Sequence, residues 1–362
     1  MLKAGIIGCG YISKKHLDTL LRIDRVELGA VSDVEQSRMQ AACDYYKKHK
    51  KTDTTIRQHT NYIDLIQNKE IDIVVIAVIS GLHSKIAKEA LTAGKHVIIE
   101  KPLALSIKDS NEIISLSALK KKRVLVCHQL RFRPILSKIK EIIESGYLGR
   151  PCMGSISVRI NRSEDYYEAA PWRGSWDQDG GMLINQGIHM VDLLIWLLGD
   201  VQSVYGDVAS VHSHKETEDL AAGILHFTNQ AKGVIEVNSI TKPSNQGYSL
   251  SLFFEKGSIT LGGKGFDQLE HCFIENREAL VQELELLCAN KDEHFIMYQH
   301  FINAVEDRVD VLRMDAAEGK KALEAIFALY QSSKIGLPVQ LPLEHFSTAS
   351  MSVSKRKEDS ND

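Results

Sequence analysis

The sequence predicts an α/β protein with two domains: an N-terminal domain built on a parallel sheet, and a C-terminal α/β domain with a large, open, mainly antiparallel sheet. The chain of 362 residues is too long for one ordinary core. Short apolar runs alternate with helix-length segments in its first third, which is typical of a parallel sheet. Further along, strand-like segments follow one another with only polar turns between them. We therefore expect domains over residues 1–126 and 127–343, and a polar, disordered tail over 344–362.

Composition excludes several classes of function. A net charge of −3 argues against a nucleic-acid partner. The six cysteines contain no Cys-x-x-Cys spacing, and His212 and His214 lack the second pair of ligands that a zinc site requires, so no metal is predicted. No apolar stretch approaches the ~20 residues that span a bilayer, and no leader peptide opens the chain. We expect a cytoplasmic protein with no membrane partner.

The start of the chain has the pattern of a strand, a glycine turn and a helix. An apolar run, Leu2–Ile7, meets Gly8, and Gly10 follows before a segment that can begin a helix. Gly8 would allow the tight turn, and Gly10 would let the backbone approach a pyrophosphate at the helix N-terminus. Ser13 replaces the third glycine of this fingerprint and is small enough for close packing. The pattern predicts a Rossmann dinucleotide-binding unit, although a plain turn is the alternative.

Asp33 indicates which dinucleotide is bound. It ends the second predicted strand, Val26–Val31, and lies 23 positions after Gly10, close to the ~20 expected for the acid that binds the adenosine ribose. A carboxylate there accepts hydrogen bonds from the ribose hydroxyls and repels a 2′-phosphate, so NAD is favoured over NADP. The alternative is a turn or helix-capping aspartate.

Two loops at the carboxyl end of the predicted sheet are expected to contact the cofactor, because ligands of open α/β sheets bind at that edge. The first follows the strand Ile71–Val78 and contains Ser80 and His83; His83 either contacts the cofactor or caps the next helix. The second follows Val97–Ile99. The full set predicted for the cofactor is Gly8, Gly10, Tyr11, Ile12, Asp33, Ser80, His83, Glu100, Lys101 and Gln129.

Lys101 is the first candidate catalytic residue. It stands at the end of the strand Val97–Ile99, and Pro102 fixes the following φ angle. An ammonium group in this place can hydrogen-bond a substrate hydroxyl and stabilise the negative charge that develops as hydride leaves. The alternative is that Glu100 and Lys101 form an ordinary surface ion pair.

His189 is the second candidate. It lies on a predicted helix, Leu183–Leu198, whose apolar residues recur at the helical period and which Gly199 ends. Asn185 is four positions earlier and shares its face, and Asp192 is three positions later and is expected to hold the imidazole. Histidine suits proton abstraction near neutral pH. A structural histidine is the alternative.

A loop after the predicted strand Met153–Ile160 is rich in arginine and aromatic residues. Aromatic faces pack on sugar rings or bases, and guanidinium groups pair with phosphate or carboxylate. This mixture suits an anionic nucleotide-sugar, and a loop anchored by packed tryptophans is the alternative. The residues predicted to bind substrate are Arg131, Arg162, Tyr167, Trp172, Arg173 and Asn185.

These motifs together resemble the Gfo/Idh/MocA family of sugar and cyclitol oxidoreductases. The resemblance covers most of the chain, up to about Leu343, and includes Asp33. The segments that carry it are Gly8–Ser13, Ser80–His83, Glu100–Pro102, Arg131–Pro134, Tyr166–Trp176, Asp179–Asp192 and Gly336–Val339.

The resemblance implies a Rossmann domain that carries NAD(P), and a second α/β domain whose open sheet forms a homodimer or homotetramer interface. It also implies hydride transfer at a sugar carbon, assisted by Lys101 and His189. Many members have aspartate where this chain has Asn185, which leaves His189 as the general base. The UDP-N-acetyl-2-amino-2-deoxyglucuronate 3-dehydrogenase subgroup, which this chain also resembles, tends to carry asparagine there.

We therefore expect an NAD-dependent dehydrogenase that transfers hydride between nicotinamide and a sugar ring hydroxyl, at carbon 3 of a UDP-amino sugar or its uronic acid. The interpretation requires Lys101 and His189 to converge on one reactive carbon. Two alternatives remain: a free-sugar or inositol dehydrogenase, and a non-catalytic NAD-binding regulatory protein. The presence of both candidate residues favours an enzyme.

Overall fold

The computed structural model describes residues 1–212 and 215–357, so His214 lies outside the described residues. The chain forms two compact units. The first comprises Met1–Ala104, Lys108–Cys127 and His294–Gly319, and the second contains the remaining segments. This division departs from the predicted boundary near residue 126, because a late segment returns to the first unit. Arg25 holds that segment through its side-chain hydrogen bonds to Asn303 (2.9 Å) and Glu306 (2.7 Å).

The first unit contains a six-stranded sheet in which every neighbouring pair is parallel, in the order β3-β2-β1-β4-β5-β6. All four residues of β4 are buried, as expected for a strand covered on both faces. The strands are β1 Leu2–Ile7, β2 Val26–Ser32, β3 Arg57–His59, β4 Ile73–Ile76, β5 His96–Ile99 and β6 Val124–Val126.

The second unit contains an eight-stranded sheet in the order β13-β12-β11-β7-β10-β9-β8-β14. Only the β7–β10 pair is parallel among its neighbours, so the predicted fold class is confirmed. The strands are β7 Pro151–Arg159, β8 Val201–Ala209, β9 Leu220–Phe227, β10 Lys232–Asn238, β11 Gly247–Phe254, β12 Gly257–Gly262, β13 Gln268–Ile274 and β14 Val339–Gln340.

Helices pack against strands of both sheets. In the described part of the chain, none of them has the length and apolar character needed to cross a membrane. The α-helices are α1 Ser13–Leu21, α2 Gln36–Lys50, α3 Tyr62–Gln67, α4 Ser80–Thr92, α5 Ile107–Lys120, α6 Pro134–Glu144, α7 Glu164–Glu168, α8 Ile188–Leu198, α9 Glu278–Leu287, α10 Glu293–Val305 and α11 Ala316–Ile335.

Ordered structure extends beyond the predicted start of the disordered tail at residue 344. Ser347 pairs with Ser106 in an isolated β-bridge, and a 3₁₀ helix follows over Thr348–Lys357. Thr348 is buried, and its hydroxyl donates to the carbonyl of Trp176 (2.6 Å). The prediction failed here because a polar composition does not reveal one threonine that closes a buried backbone hydrogen bond. Residues 358–362 lie outside the described part.

Candidate active site

The glycine turn after β1 has the geometry of a dinucleotide cradle. Gly8 has φ +94°, and a Cβ there would stand 2.4 Å from the Ala77 carbonyl oxygen, so only glycine fits. At Gly10 a Cβ would meet nothing within 4 Å, so the protein itself does not demand glycine there. The first turn of α1 has no side-chain cap and no acidic residue. An uncapped helix N-terminus beside a glycine with open space fits the pyrophosphate of NAD.

Asp33 joins this turn to the next helix. Its two carboxylate oxygens accept hydrogen bonds from the backbone N–H groups of Cys9 (2.7 Å) and Glu35 (2.9 Å). The turn role considered as an alternative is therefore present, because the bond from Glu35 closes an Asx turn just before α2. Each oxygen has a further lone pair, so ribose binding stays a prediction that the geometry permits. Tyr11 and Ile12 lie in the same loop, and the Tyr11 side chain is fully exposed.

His83 is buried inside the first unit. Its Nδ1 lies 2.7 Å from the Pro102 carbonyl oxygen and its Nε2 lies 3.1 Å from the Val78 carbonyl oxygen. Burial lowers the pKa of His83, so the ring is neutral at physiological pH. The imidazole thus contacts the backbone of the loop that carries Pro102, and its predicted cofactor contact stays a prediction. Ser80, at the start of α4, is half-buried.

Glu100 and Lys101 do not form the surface ion pair considered above. The Glu100 carboxylate is 12% exposed and lies 3.1 Å from Nε2 of His16, which is fully buried. Burial alone would raise the pKa of Glu100, but the His16 hydrogen bond and nearby positive charges, including Lys101, lower it to about 2. Lys101 is half-buried, and its peptide bond to Pro102 is cis. The glutamate is thus an anion held inside the protein, one residue before the candidate catalytic lysine.

In the second unit, the predicted helix begins with a π-helical turn, Leu183–Gly187, which continues into α8. Most side chains between Met182 and Met190 are buried. The half-exposed ones are Asn185, Gln186 and His189. A π-turn is often found at functional sites, and this one presents three polar side chains at one corner of an otherwise buried helix.

The Glu218 carboxylate forms a hydrogen bond with the first residue of this π-turn. Its carboxylate accepts hydrogen bonds from the backbone N–H of Leu183 (2.7 Å) and the hydroxyl of Tyr330 (2.6 Å). Complete burial raises the pKa of Glu218 to about 7, although these hydrogen bonds and Lys215 favour the charged form. Gly181 has φ +110°, and a Cβ there would meet the Tyr330 hydroxyl at 2.4 Å. Glycine at position 181 therefore leaves space for the Tyr330 hydroxyl and the buried Glu218 carboxylate.

A second carboxylate sets the orientation of Asn185. The Asn185 amide nitrogen donates to Oδ1 of Asp179, and Oδ2 of Asp179 accepts from the backbone N–H of Gly174 (2.9 Å). Asp179 is almost completely buried. The amide of Asn185 is therefore held with its nitrogen toward the protein.

Asp192 pairs with Arg131 and does not hold His189 as predicted. Its carboxylate accepts two hydrogen bonds from Arg131, from Nε at 2.9 Å and from Nη2 at 2.7 Å, and both residues are 1% exposed. Nδ1 of His128 lies 3.6 Å from the same carboxylate, and the His128 ring meets His189 edge to face at 5.5 Å between centroids. The expected role of Asp192 as holder of His189 is corrected to a partner of Arg131. His128 is the aromatic neighbour of His189.

Two of the predicted substrate residues, Arg131 and Tyr167, are buried. The Arg131 guanidinium donates two hydrogen bonds to the Asp192 carboxylate. Tyr167 is 7% exposed, and burial raises its pKa to about 12. Their substrate contacts stay predictions, because sequence does not distinguish arginine and aromatic side chains that face a ligand from those that fill the interior.

The remaining residues of that loop form a cationic cluster around Tyr166. The Arg173 guanidinium stacks 4.2 Å from the Tyr166 ring centroid and the Arg162 guanidinium 5.1 Å from it. Arg162 also donates to Gln186 (3.1 Å), which joins the cluster to the π-turn. Trp172 is half-exposed beside Arg173. Among the residues that the structure describes, neither guanidinium has a carboxylate within ion-pair distance, and the Nε of each is buried without a hydrogen-bond partner.

Two family descriptions match adjoining parts of the chain. "Oxidoreductase family, NAD-binding Rossmann fold" matches residues 2–128, and "GFO/IDH/MocA C-terminal domain" matches residues 136–260. The chain is also similar over 95% of its length to two WlbA dehydrogenases, each crystallised with NADH and UDP-GlcNAcA. The Chromobacterium violaceum enzyme is 31% identical, with 96% of its chain covered and a TM-score of 0.88. The Bordetella pertussis enzyme is 32% identical, with 99% covered and a TM-score of 0.85.

The chain belongs to the Gfo/Idh/MocA family of oxidoreductases. The resemblance inferred from the motifs is thus confirmed, as are the enzyme class and the NAD-binding domain. An inositol 2-dehydrogenase from Salmonella typhimurium is 36% identical over 208 residues, which cover 55% of each chain.

Within this Gfo/Idh/MocA protein, the two candidate catalytic residues belong to different units, Lys101 to the first and His189 to the second. Gln129, which is predicted to contact the cofactor, also belongs to the second unit. The meeting of Lys101 and His189 at one substrate carbon stays a prediction. Sequence reasoning did not foresee the roles of His16, His128 and Glu218. Each is a buried polar residue whose partner lies far away in sequence, and no local pattern marks such residues.

Proposed function

We propose that this protein is an NAD-dependent dehydrogenase acting on a ring hydroxyl of an anionic nucleotide-sugar, at carbon 3 of a UDP-linked amino sugar or its uronic acid. One observation carries the proposal: Arg162 and Arg173 stand beside the π-turn of Asn185 without any acidic partner in the described chain. Such a substrate carries a diphosphate and, as the uronic acid, a carboxylate.

The cationic cluster suits these anions. Half-buried guanidinium groups without a carboxylate are costly unless a ligand anion completes them, and planar guanidinium groups bind phosphate or carboxylate bidentately. Tyr166 fixes both groups by stacking, which lowers the entropy lost when a ligand binds. The similarity to the two WlbA dehydrogenases, both crystallised with UDP-GlcNAcA, supports the same substrate class.

The proposed chemistry assigns one role to each polar side chain. When bound, NAD supplies the hydride acceptor at carbon 4 of its nicotinamide ring. The Lys101 ammonium donates a hydrogen bond to the substrate hydroxyl oxygen and stabilises the negative charge that develops there. His189 accepts the hydroxyl proton. Asn185, oriented by Asp179, contacts the sugar.

A panel of substrates tests the proposal and separates it from the alternatives. We expect UDP-N-acetylglucosamine or its uronic acid to produce NADH absorbance at 340 nm, and myo-inositol and free sugars to produce none. Turnover of inositol alone would favour the inositol dehydrogenase, which the Salmonella typhimurium similarity supports. NADH binding without turnover of any sugar would favour the regulatory protein.

Charge-removing variants test the cationic cluster itself. We expect Arg162→Gln and Arg173→Gln each to raise the KM for the nucleotide-sugar by about tenfold or more, since a charge-assisted hydrogen bond contributes roughly 1.5–3 kcal/mol. Arg150→Gln is the matched control, because Arg150 is exposed and already paired with Glu255. Equal KM values for all three variants would contradict the proposed substrate class.

We also propose that the protein forms a homodimer or homotetramer through the exposed face of the eight-stranded sheet. Apolar side chains lie on that face in cross-strand pairs: Tyr205 with Ile224, and Met153 with Phe253, all 40–47% exposed. Grouped exposed apolar side chains on an uncovered sheet face are typical of a protein interface.

A further inference from the structure

Gln186 connects the π-turn to the cationic cluster through both ends of its amide. Its Oε1 accepts a hydrogen bond from Nη2 of Arg162 (3.1 Å), and its Nε2 donates to the hydroxyl oxygen of Tyr166 (3.3 Å). A guanidinium group only donates hydrogen bonds, so the carbonyl end of the amide is the end that faces Arg162. The orientation of Gln186 is therefore fixed by its partners, and one hydrogen-bonded chain joins Arg162, Gln186 and Tyr166.

Gln186 also belongs to the exposed corner of the π-turn. It follows Asn185 directly and lies three positions before His189, and all three side chains are half-exposed. Asn185 is the proposed sugar contact and His189 the proposed base. A residue that holds Arg162 from this corner therefore sets where a bound anion lies relative to the groups that handle the sugar.

The two guanidinium groups of the cluster bond only neutral oxygen atoms in the described part of the chain. Nη1 of Arg162 donates to the Asn161 carbonyl (2.8 Å), and Nη1 of Arg173 donates to the Tyr166 carbonyl (2.7 Å). The Gln186 amide oxygen is the remaining acceptor. The Nε of each guanidinium is buried without a hydrogen-bond partner. The charge and some donors of both arginines are therefore left for a group that the protein does not supply.

Position 186 is a place where the protein could have neutralised this charge. Glutamate has nearly the size of glutamine, and a carboxylate in the place of the Gln186 amide would form an ion pair with Arg162. Among the described residues, the acidic ones nearest along the chain, Glu164 and Asp165, are exposed on α7 and form no ion pair with either guanidinium. The neutral amide thus holds Arg162 in place and leaves its charge uncompensated.

We propose that Gln186 is a specificity-determining residue: its neutral amide positions the Arg162 guanidinium to bind an anionic group of the substrate, a phosphate or a carboxylate, beside the corner that carries Asn185. The proposal rests on the proposed function, in which the substrate is an anionic nucleotide-sugar. An internal carboxylate would compete with the ligand for the same guanidinium, so the absence of one is part of the specificity. If Gln186 were merely structural, glutamate would replace it well, because glutamate accepts the same hydrogen bond from Arg162.

Two substitutions at position 186 separate positioning from charge. Gln186→Met removes the amide hydrogen bonds but leaves the Arg162 charge free, and we expect it to weaken ligand binding about threefold, as loss of a neutral hydrogen bond does. Gln186→Glu keeps an acceptor for Arg162 but pairs with it, and we expect about tenfold weaker binding or more, because the ligand must displace a charge-assisted bond. Isothermal titration calorimetry on the NADH-bound protein measures the dissociation constants.

Three ligands show which anionic group Arg162 binds. UDP and UDP-N-acetylglucosamine carry the diphosphate alone, whereas the uronic acid of UDP-N-acetylglucosamine adds a carboxylate. If Arg162 binds the diphosphate, affinity falls in the order wild type, Gln186→Met, Gln186→Glu for all three ligands. If Arg162 binds the carboxylate, this order holds for the uronic acid alone. Either result supports the role of Gln186 and identifies the group that Arg162 binds.

Two controls exclude other causes of weaker binding. Gln230→Glu adds the same charge at an exposed residue between β9 and β10, and solvent screening should keep all three affinities within about twofold of the wild type. In an Arg162→Gln background, Gln186→Met should cause no further weakening, because a residue that acts through Arg162 then has nothing left to position.

The outcomes are separable from those of the proposed function. Wild-type affinity for all three ligands in both variants would overturn the role of Gln186, as would tighter binding by Gln186→Glu than by Gln186→Met. Failure of the wild type to bind any of the three ligands would overturn it too. If Gln186→Glu does not fold, Gln186→Met with and without Arg162→Gln decides. If the affinities follow the expected order but no UDP-sugar reduces NAD, the proposed reaction fails and the role of Gln186 stands.

Discussion

At the scale of single residues, Lys101 has the most direct test. We expect Lys101→Met to lower kcat by about 10²- to 10³-fold, the effect of removing one donor to a developing oxyanion. The apolar chain of methionine keeps the approximate length, so NADH binding measured by fluorescence should change little. Wild-type turnover in this variant would remove the catalytic role of the lysine.

His189 is tested by its pH dependence. An imidazole that accepts the substrate proton gives a rate that rises toward neutral pH, and His189→Asn should flatten that rise and lower kcat by about 10²- to 10⁴-fold. Gln186→Ala is a useful comparison, because Gln186 occupies the same exposed corner without a titrating group. A normal profile in His189→Asn would exclude the residue as the base.

Asp192 is expected to matter for stability. Asp192→Asn leaves the Arg131 guanidinium buried with no full countercharge, and loss of one partner of a buried pair costs roughly 3–5 kcal/mol. Urea unfolding with an unchanged m-value would measure the loss. The control is Glu255→Gln, which breaks the exposed pair with Arg150 and should cost under about 1 kcal/mol. Equal losses would contradict the role given to burial.

The sequence identified some of these residues and not others for a physical reason. Lys101, Asp33 and Gly8 are marked by position, at the carboxyl ends of strands whose apolar runs are easy to read. Arg131 and Tyr167 were assigned to substrate because their chemistry fits a ligand as well as it fits a buried partner. Whether such a side chain faces a ligand or a buried partner depends on residues tens of positions away in the chain. A single sequence does not show those contacts.

At the scale of elements, the first residue of the π-turn donates its backbone N–H to the buried carboxylate of Glu218. The pKa of Glu218 is about 7 in the folded protein and 4.5 in the ordinary case. The folded state therefore binds the proton more tightly than the unfolded chain. The stability that this residue contributes is fully present below about pH 4.5 and is lost as pH rises through about 7.

Glu218→Gln tests this sign. We expect the variant to lose less thermal stability than the wild type between pH 5 and pH 8, because glutamine has no proton to lose. Differential scanning calorimetry across that range provides the measurement, and Glu255→Gln serves as the surface control. A steeper decline in Glu218→Gln than in the wild type would show that the carboxylate stabilises the fold when charged.

Element prediction succeeded where one periodicity dominated and failed where two competed. The strand Leu2–Ile7 begins and ends as predicted. The sequence of residues 268–290 fits both a strand pattern and a helix pattern, and the segment divides into β13 and α9. The π-turn was not foreseen, because its extra residue per turn leaves no trace in apolar spacing, and the Glu218 carboxylate that accepts from its first backbone N–H is distant in sequence.

At the scale of the whole molecule, the proposed self-association has a simple test. We expect Ile224→Lys to shift the protein from an oligomer to a smaller species in sedimentation velocity, because a charge in the centre of an apolar interface is desolvated without a partner. Leu119→Lys is the control, since Leu119 is an equally apolar, exposed residue of the first unit. A monomeric wild type would refute the proposed interface.

The discontinuity of the first unit constrains how the protein is made. His16 leaves the ribosome early, whereas Tyr298, its hydrogen-bond partner, follows 282 residues later. Nearly the whole chain must therefore be synthesised before the first unit can enclose the Glu100 carboxylate. Synthesis of the amino-terminal third alone would leave that carboxylate without the helix that completes its surroundings.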